Sequence, residues 1–451
     1  MDEHVLPSKL LTHLSSAANT IRSREYIHVF SHYDADGVSA AGILACMLDR
    51  LGKEYQVTLM PVLNDDTFTL IEESPSECVL LTDLGASYIS QLEKLHKMVI
   101  VLDHHNSGQD TSRFTYANPH LYGIDGMTSG CGSTMAFLLA VYMDDNNWDL
   151  VQIAFGGLAG DRQLVNGASG LNEYLMNGAI EKGFVKAVSG SLVPLGPLSK
   201  SLYLSTDPYI RGVSGNHAGV QKLLDDAGIP NSKSYMDLTE DELWKLSSLI
   251  SVKLTDQNVS VTTMKESART KYYLTRLNMD AEYLADILNA CGRGELGGMG
   301  VALCLGDNDA LLKAMEINDE TKNSVIEAIV ELDSRGLKQL DHIQYFDSSS
   351  LGYTGILCGI AMQFIGSPDK PTIGINNKGE GFAKVSSRGT WSLLDKGIDL
   401  SVAMRDASES VGGSGGGHRI ASGASFPHYK QEEFLRNLDA IIEDQKLSHA
   451  K

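Results

Sequence analysis

The chain has 451 residues, enough for two or three hydrophobic cores, and its content of 43% hydrophobic and 21% charged residues is ordinary for a globular protein. Its 57 acidic and 37 basic residues give a formal net charge of −20, which argues against a protein that coats duplex DNA through a basic face. We therefore expect any nucleic-acid contact to be local, and an acidic exterior leaves room for a basic protein partner.

Targeting and redox signals are weak. The N-terminal stretch MDEHVLPSKLLTHLSS lacks the basic and then apolar pattern of a signal peptide, and no apolar run is long enough to span a bilayer. The six cysteines form no CxxC pair, so neither a zinc ribbon nor a disulfide framework is expected. These features predict a cytoplasmic protein without a membrane partner.

Four short polar clusters each follow an apolar segment in the first 162 residues. They are His32-Tyr33-Asp34-Ala35-Asp36-Gly37 after EYIHVF, Asp83 after CVLLT, Asp103-His104-His105 after MVIVL, and Gly160-Asp161-Arg162 after VQIAFGGLA. The period of two in a strand predicts that His32, Asp34 and Asp36 share one face.

Residues 26 to about 190 alternate between strand-like and helix-like runs. Together with EYIHVF, the runs QVTLMPV, CVLLTD and MVIVLD predict a doubly wound parallel sheet, and a helix is expected to start at Gly37. In such sheets ligands gather at the carboxyl ends of the strands. Carboxylates with one or two imidazoles suit a pair of Mn²⁺ or Mg²⁺ ions, and Mn²⁺ fits the imidazoles better.

Ordinary structural roles are available for each cluster taken alone. Asp83 could be a helix N-cap, the Asp103-His104-His105 cluster a polar strand exit, and Asp161-Arg162 a structural ion pair. The segment Ser129-Gly-Cys-Gly-Ser133 could either offer free amides to a phosphate or only permit close packing. The joint occurrence of all four clusters favours a dinuclear metal site that acts on phosphate esters.

The composition changes near residue 191. Prolines at 194, 197 and 208 predict a linker or surface segment, and the following runs have helical periodicity without catalytic features. We expect domains at 1–190, 191–335 and 336–451, the second being a linker and a mostly helical module.

The last hundred residues predict a smaller α/β domain. HIQYF, PTIGIN and GFAKVSS suit strands, LCGIAMQFI a helix between them, and FLRNLDAIIEDQKL a closing amphipathic helix. Five glycines in Gly412–Gly417 predict a loop that either brings backbone amides to a phosphate or is only flexible.

The N-terminal motifs HYDADG, the lone Asp83, DHH and GGLAGDR resemble those of the DHH phosphoesterase superfamily, and GGSGGGH resembles the glycine-rich motif of its companion DHHA1 domain. Length and segments such as PLGP and STDPY are most similar to archaeal RecJ-type proteins of the GINS-associated nuclease kind. The first motif begins with His32 where bacterial RecJ commonly has Asp. This difference weakens any inference of the direction of cleavage in this chain from that of bacterial RecJ.

The resemblance implies a role for each motif residue. One metal would be held by His32, Asp34 and Asp83, and the second by Asp36, Asp83, His104 and Asp161. His105 would contact the scissile phosphate, Asp103 would orient an imidazole, and Arg162 would pair with a ligand or phosphate. Substrate would be bound by residues of the C-terminal domain, namely Ser387, Arg388, Gly415, Gly416, Gly417, His418 and Arg419.

The implied activity is a metal-dependent exonuclease on single-stranded DNA or RNA, favouring the 5′ to 3′ direction, in replication or repair with GINS and the replicative helicase. Two alternatives stay open: a phosphodiesterase of oligonucleotides or cyclic dinucleotides, and a structural factor of the replicative helicase.

Overall fold

The computed structural model describes residues 6–106, 109–188 and 190–449, so the acidic start of the sequence lies outside the described residues. The chain divides into two compact units, of which the first comprises Met1–Gly190 and Arg269–Glu320 and the second Ser191–Ala268 and Thr321–Lys451. The middle module predicted at 191–335 coincides with neither unit, because its residues are shared between them. The three-domain division stays a prediction.

The first unit is built on a parallel sheet that, within the described ranges, has the strand order β2-β1-β3-β4-β5. The strands are β1 Tyr26–His32, β2 Glu54–Met60, β3 Cys78–Thr82, β4 Met98–Leu102 and β5 Thr115–Ala117. All five residues of β3 are buried. Leu80 packs into the core on one face and Leu81 into the core on the other, which explains the continuous apolar runs.

Helices cover both faces of this sheet, so the predicted doubly wound α/β architecture is confirmed. The helices before residue 190 are α1 Ser8–Arg22, α2 Ala35–Arg50, α3 Asp65–Glu72, α4 Ile89–Leu92, α5 Gly132–Met143, α6 Val151–Gly160 and α7 Leu171–Glu181. Helices α2, α5 and α6 pack against one another in one core, where Gly and Ala residues allow close contact.

The later segment of the first unit packs on the same core. A small antiparallel sheet joins β6 Val185–Val188, β7 Lys271–Leu274 and β8 Met279–Asp280. It is followed by α12 Ala281–Arg293 and α13 Gly297–Cys304, and then by α14 Asn308–Arg335, whose residues after Glu320 belong to the second unit. Helix α12 contacts α6 and α2, and the Asn289 side chain accepts a hydrogen bond from the Ala35 amide. This part of the middle segment thus supports the helix that carries Asp36.

Residues 191–268 form α8 Leu198–Tyr203, α9 His217–Ala227, α10 Glu240–Asp256 and α11 Val261–Ser267. The proline-rich stretch before α9 was predicted to be a linker or surface segment, and this is wrong. Val193, Leu198 and Ile210 are fully buried, and the buried Tyr209 donates a hydrogen bond to Asp333. The prolines here interrupt regular structure within a packed segment rather than marking an exposed connection.

The second unit contains a mixed sheet that, in the part of the chain described, runs β13-β14-β12-β11-β10-β9. Its elements are β9 Lys338–Gln339, β10 Gln344–Asp347, α15 Thr354–Phe364, β11 Thr372–Asn376, β12 Phe382–Arg388, α16 Trp391–Asp395, α17 Leu400–Glu409, β13 Ser414–His418, β14 Ala421–Pro427 and α18 Gln431–His449. The predicted C-terminal α/β unit is therefore confirmed.

The glycine-rich segment differs from its prediction as a loop. Ser414–His418 is an edge strand that pairs antiparallel with β14. Gly415 faces α17, where an added Cβ would lie 2.7 Å from the Met404 carbonyl oxygen and from Ser408 Oγ. Glycine is required there because the strand lies directly against a helix.

None of the helices in the described residues is both long and apolar enough to cross a membrane. All six cysteines are buried free thiols.

Candidate metal centre

The centre of the polar cluster is the carboxyl edge of three adjacent parallel strands. Strand β1 pairs with β3 and β3 with β4, so that the last residues in register are Ser31, Thr82 and Leu102. The next residues along the three strands are His32, Asp83 and Asp103. Parallel pairing therefore brings together side chains that are 71 positions apart in the sequence, counting from 32 to 103.

The first motif leaves the strand earlier than predicted. Strand β1 ends at His32, Asp34 is the N-cap of α2, and Asp36 lies in the first turn of that helix. The expectation that His32, Asp34 and Asp36 share a strand face is therefore wrong. They meet because the Asp34 carboxylate caps the Gly37 amide at 3.1 Å while its other oxygen lies 3.0 Å from His32 Nδ1.

The N-terminus of α5 holds the Asp36 carboxylate in place. Asp36 is 1% exposed, and its two oxygens accept hydrogen bonds from the amides of Gly132 at 2.6 Å and Ser133 at 2.9 Å. A helix N-terminus stabilises negative charge through these free amides and the helix dipole. The free amides of Ser129–Ser133 thus bind a carboxylate of the protein itself. Of the two roles considered for this segment, close packing is supported, because an added Cβ on Gly132 would lie 2.7 Å from Asp83 Cβ.

Glycines in α6 let that helix approach closely enough to deliver Asp161. An added Cβ on Gly157 would lie 2.1 Å from Ser133 Oγ, and one on Gly160 would lie 2.7 Å from the Ala35 side chain. Asp161 follows directly as the C-cap of α6, with its side chain 21% exposed.

The predicted metal ligands fall into overlapping groups whose ligand atoms lie within 4.8 Å of one another. Two of these groups are His32 with Asp34 and Asp83, and Asp36 with His104 and Asp161. Asp83 lies between them, with one oxygen 3.5 Å from His32 Nδ1 and the other 3.2 Å from His104 Nε2. A third group joins Asp83 to Asp103, His104 and His105.

The carboxylates dominate the electrostatics of this cluster. Burial opposes charge on both imidazoles, but hydrogen bonds to Asp34 and Asp83 raise the pKa of His32 to about 10. The Asp83 hydrogen bond and the charge of Asp36 likewise raise the pKa of His104 to about 11. Burial and the neighbouring carboxylates raise the pKa of Asp83 and of Asp161. Such concentrated negative charge attracts cations.

Asp103 is buried below the cluster and orients His105. Its Oδ1 accepts hydrogen bonds from His105 Nδ1 at 2.8 Å and from the His104 amide at 2.7 Å, and its Oδ2 accepts one from the Ala86 amide. Burial opposes ionisation, but the His105 hydrogen bond and the positive imidazoles lower the pKa of Asp103 to about 2. The side chain of His105 is 50% exposed and leaves Nε2 directed away from Asp103.

The residues that orient His104 were not predictable from any sequence motif. Its Nδ1 lies 2.8 Å from the Gly126 carbonyl oxygen, so Nδ1 donates and Nε2 faces the three carboxylates. The same carbonyl accepts a hydrogen bond from the Gln163 side chain, whose oxygen accepts from Gly130 and Asn172. Gly126 acts through its backbone, and Gln163 through contacts distant in sequence, so neither belongs to a short motif.

Asp83 and Arg162 both adopt left-handed backbone conformations, with φ of 54° and 58°. Such conformations are unfavourable for residues other than glycine and persist where the surroundings fix them. Asp83 does not act as an N-cap, because the short helical turn at 86–88 is preceded by Gly85. Arg162 is exposed, and within the described residues no carboxylate forms an ion pair with it.

The donor set fits divalent cations that prefer oxygen and imidazole ligands. The two groups on either side of Asp83 offer only carboxylate and imidazole atoms, which are ligands that Mn²⁺ and Mg²⁺ accept. A cation that binds an imidazole nitrogen must displace its proton, and the carboxylates supply the compensating negative charge.

The C-terminal residues predicted to bind substrate divide into an open and a buried set. Arg388 and His418 both pair with Ala421, so the three lie on one face of the sheet. Ser387 lies on the opposite face, fully buried, and donates to the Ser422 carbonyl oxygen, so its predicted substrate contact is not supported. Gly415 also lies on this opposite face, directly against α17.

Three further predicted residues lie near the end of β13. Gly416 and Gly417 have φ of 150° and 140°, and open space surrounds Gly416 on its Cβ side. Arg419 forms an ion pair with Asp399, with Nε 2.8 Å from Oδ2.

Comparison with known proteins gives two family matches. Residues 26–158 match the model of the DHH family, N-terminal domain, and residues 350–444 match that of the DHHA1 domain. The chain is 33% identical over 430 residues to the uncharacterized protein MJ0831 of Methanocaldococcus jannaschii, covering 93% of this chain and 94% of that protein.

Solved structures share the fold at low sequence identity. RecJ of Thermus thermophilus in complex with Mn²⁺ is 17% identical, with a TM-score of 0.59, and the match covers 98% of this chain but only 55% of RecJ. CDC45 of Entamoeba histolytica is 12% identical, with a TM-score of 0.63, and the match covers 96% and 99% of the two chains. The solved structures show a RecJ-like fold, and the two family matches show that the chain belongs to the DHH/DHHA1 superfamily of phosphoesterases.

Proposed function

We propose that this protein is a two-metal phosphodiesterase that removes nucleotides from single-stranded DNA or RNA. The observation that carries the proposal is the pair of ligand groups with the Asp83 carboxylate between them, one oxygen towards His32 and the other towards His104. A bridging carboxylate with separate ligands on each side is the arrangement that two neighbouring cations need.

In this proposal His32, Asp34 and Asp83 hold one Mn²⁺ or Mg²⁺ ion, and Asp36, Asp83, His104 and Asp161 hold the other. Bound together, the ions would lower the pKa of water and neutralise charge on the phosphoryl oxygens. The α5 amides fix Asp36, the Gly126 carbonyl fixes His104, and the α2 N-terminus fixes Asp34. The protein thereby supplies ligands that need little rearrangement.

His105 and Arg162 are proposed to contact the phosphate. Asp103 accepts the hydrogen bond of His105 Nδ1, and this bond together with the charge of Asp103 raises the pKa of His105. Its positive imidazole can donate from Nε2 to a non-bridging oxygen. Arg162 is exposed beside Asp161 and provides a second donor of the right charge.

Single strands are the proposed substrate class because the net charge of −20 disfavours a long electrostatic footprint on duplex DNA. In the second unit, Arg388, Gly416, Gly417 and His418 are proposed to bind the strand, and a 5′ to 3′ direction is favoured by the family resemblance. A GINS complex is the proposed partner, and it would strengthen the hold on long strands.

The test is hydrolysis of a single-stranded oligonucleotide with Mn²⁺, using DNA and RNA labelled separately at each end. Wild type is expected to release mononucleotides progressively, whereas Asp83→Asn is expected to be inactive because its amide cannot bridge two cations. The exposed Asp65→Asn is the matched control and should remain active. Turnover of dinucleotides alone would favour the small phosphodiesterase, and no turnover of either would favour the structural replication role.

A further inference from the structure

One row of side chains along β12 extends the proposed strand contact beyond the glycine-rich motif. Strand β12 alternates between exposed or half-buried residues on one face and buried residues on the other. The open face carries Phe382, Lys384, Ser386 and Arg388, and we call these four residues the β12 row. Because side chains alternate along a strand, all four point to the same side of the sheet.

The β12 row faces the same side as the end of the glycine-rich strand. Through β14, Arg388 is in register with His418 and Ser386 with Gly416. The β14 residues between them on this face, Ala421 and Gly423, are small. They therefore leave a shallow groove between the side chains of β12 and those of β13. Lys384 and Phe382 continue the row for two further positions of the alternation.

The row combines positive charge with an exposed aromatic ring, and Arg388 Nη1 donates a hydrogen bond to the Ser387 carbonyl oxygen at 2.9 Å. Phe382 is 50% exposed, and contact of its apolar ring with water does not stabilise the folded protein. Within the described residues no carboxylate forms an ion pair with Lys384, Arg388 or His418. The first turn of α15 borders the other side of the row, where an added Cβ on Gly355 would lie 3.4 Å from Arg388 Nη2.

From this arrangement we infer that the β12 row is a binding track for a single-stranded oligonucleotide, in which a base stacks on Phe382 and phosphates contact Lys384 and Arg388. Cationic grooves with aromatic platforms bind single strands without reading sequence. Six steps along the strand span about 20 Å, which is room for about six stacked nucleotides and for fewer extended ones. The inference rests on the proposed function and deepens it, because a dinucleotide is too short to use the whole track.

Binding is measured first, by fluorescence anisotropy with labelled eight-residue oligothymidylate and oligouridylate in EDTA, where hydrolysis does not occur. Phe382→Ala is expected to raise Kd roughly 5- to 30-fold through lost stacking. Phe382→Trp should bind as well as wild type because it keeps an aromatic face. Trp244→Ala, at an aromatic residue 73% exposed in α10 of the same unit, is the matched control and should leave Kd unchanged.

The charge contribution has its own signature. Lys384→Gln is expected to reduce the slope of log Kd against log salt by about 0.7, the value for one phosphate contact on a single strand. Lys245→Gln, in the exposed part of α10, should leave the slope unchanged. Unaltered Kd in Phe382→Ala together with an unaltered slope in Lys384→Gln would overturn the track.

The kinetics of hydrolysis then test the binding track separately from the proposed activity. With Mn²⁺, wild type is expected to have a lower KM for the eight-residue strands than for dinucleotides, and Phe382→Ala is expected to reduce that difference. If long strands are hydrolysed and the variant has the wild-type KM, the track is wrong while the proposed function stands. If no nucleotide substrate is hydrolysed, the proposed function fails, and the anisotropy result alone decides the track.

Discussion

Gly157 of α6 lies so close to Asp36 of α2 that a Cβ added to the glycine would be 2.5 Å from Asp36 Oδ1. The absence of a side chain at Gly157 therefore sets the position of a proposed metal ligand held by the α5 amides.

We predict that Gly157→Ala weakens Mn²⁺ binding by at least tenfold, because the added methyl group displaces the Asp36 carboxylate or Ser133. Isothermal titration calorimetry with Mn²⁺ measures this. Gly298→Ala in α13, where no atom lies within 4 Å of an added Cβ, is the matched helical control. Equal Mn²⁺ affinity in the two variants would contradict the assignment of Asp36 as a ligand.

Asp103→Asn is expected to lower kcat on a single-stranded oligonucleotide by roughly 10- to 100-fold, the usual effect of losing a residue that orients a functional imidazole. The asparagine amide cannot accept from both His105 and the Ala86 amide as the carboxylate does. Steady-state kinetics of the variant are compared with those of the exposed Asp66→Asn. A wild-type kcat for Asp103→Asn would remove His105 from the proposed chemistry.

Gln163→Leu should destabilise the first unit by about 1–3 kcal/mol, because it leaves the Gly130 amide and the Asn172 side chain without their buried partner. It should also weaken Mn²⁺ binding, since the Gly126 carbonyl that orients His104 loses its other donor. Urea unfolding and calorimetry measure the two effects. The exposed Gln91→Leu is the control, and the same urea midpoint in both variants would refute the supporting role.

His28 predicts a pH dependence that is separate from the metal centre. Burial and the charge of Lys97 lower its pKa from 6.5 to about 4, and its ring nitrogens hydrogen-bond Ser74 and Thr58. A histidine with a lowered pKa in the folded state stabilises the protein fully above pH 6.5, and that contribution is lost as pH falls from 6.5 towards 4.

The measurement is urea unfolding of wild type and His28→Gln between pH 4 and 7.5. The difference between their unfolding free energies should narrow as the pH falls from 6.5 towards 4. A difference that is constant across this range would show that His28 keeps its ordinary pKa in the folded protein.

The strands and the convergence of the motifs were predictable because burial on both faces produces unmistakable runs such as those before Asp83 and Asp103. The placement of Asp36 in a helix was not predictable from the sequence. A helix starting at Ala35 and a strand continuing to Asp36 would both bring its carboxylate to the carboxyl edge of the sheet. In the second unit Ser386 and Ser387 are neighbours in β12 and therefore face opposite sides of the sheet, so that Ser387 is buried and Ser386 is only half-buried. The motif alone does not indicate which of the two serines faces the open side.

The edge strand at Ser414–His418 was missed for a different reason. Glycine has low strand propensity, so the composition favours a loop, but pairing with β14 and contact with α17 override it. The proline-rich stretch before α9 shows the same principle, because tertiary packing decides whether such a stretch is exposed.

The return of the chain to the first unit at Arg269 affects how that unit acquires its native core. Gly156 of α6 packs on Leu284 of α12 so closely that an added Cβ would lie 2.9 Å from Leu284 Cδ2. During synthesis the apolar faces of α2 and α6 therefore stay exposed until α12 has been made, more than a hundred residues after α6. The first segment of the second unit, residues 191–268, is made in this interval. A fragment ending near residue 190 would carry all six proposed metal ligands yet expose this surface, and we expect it to aggregate rather than to bind metal.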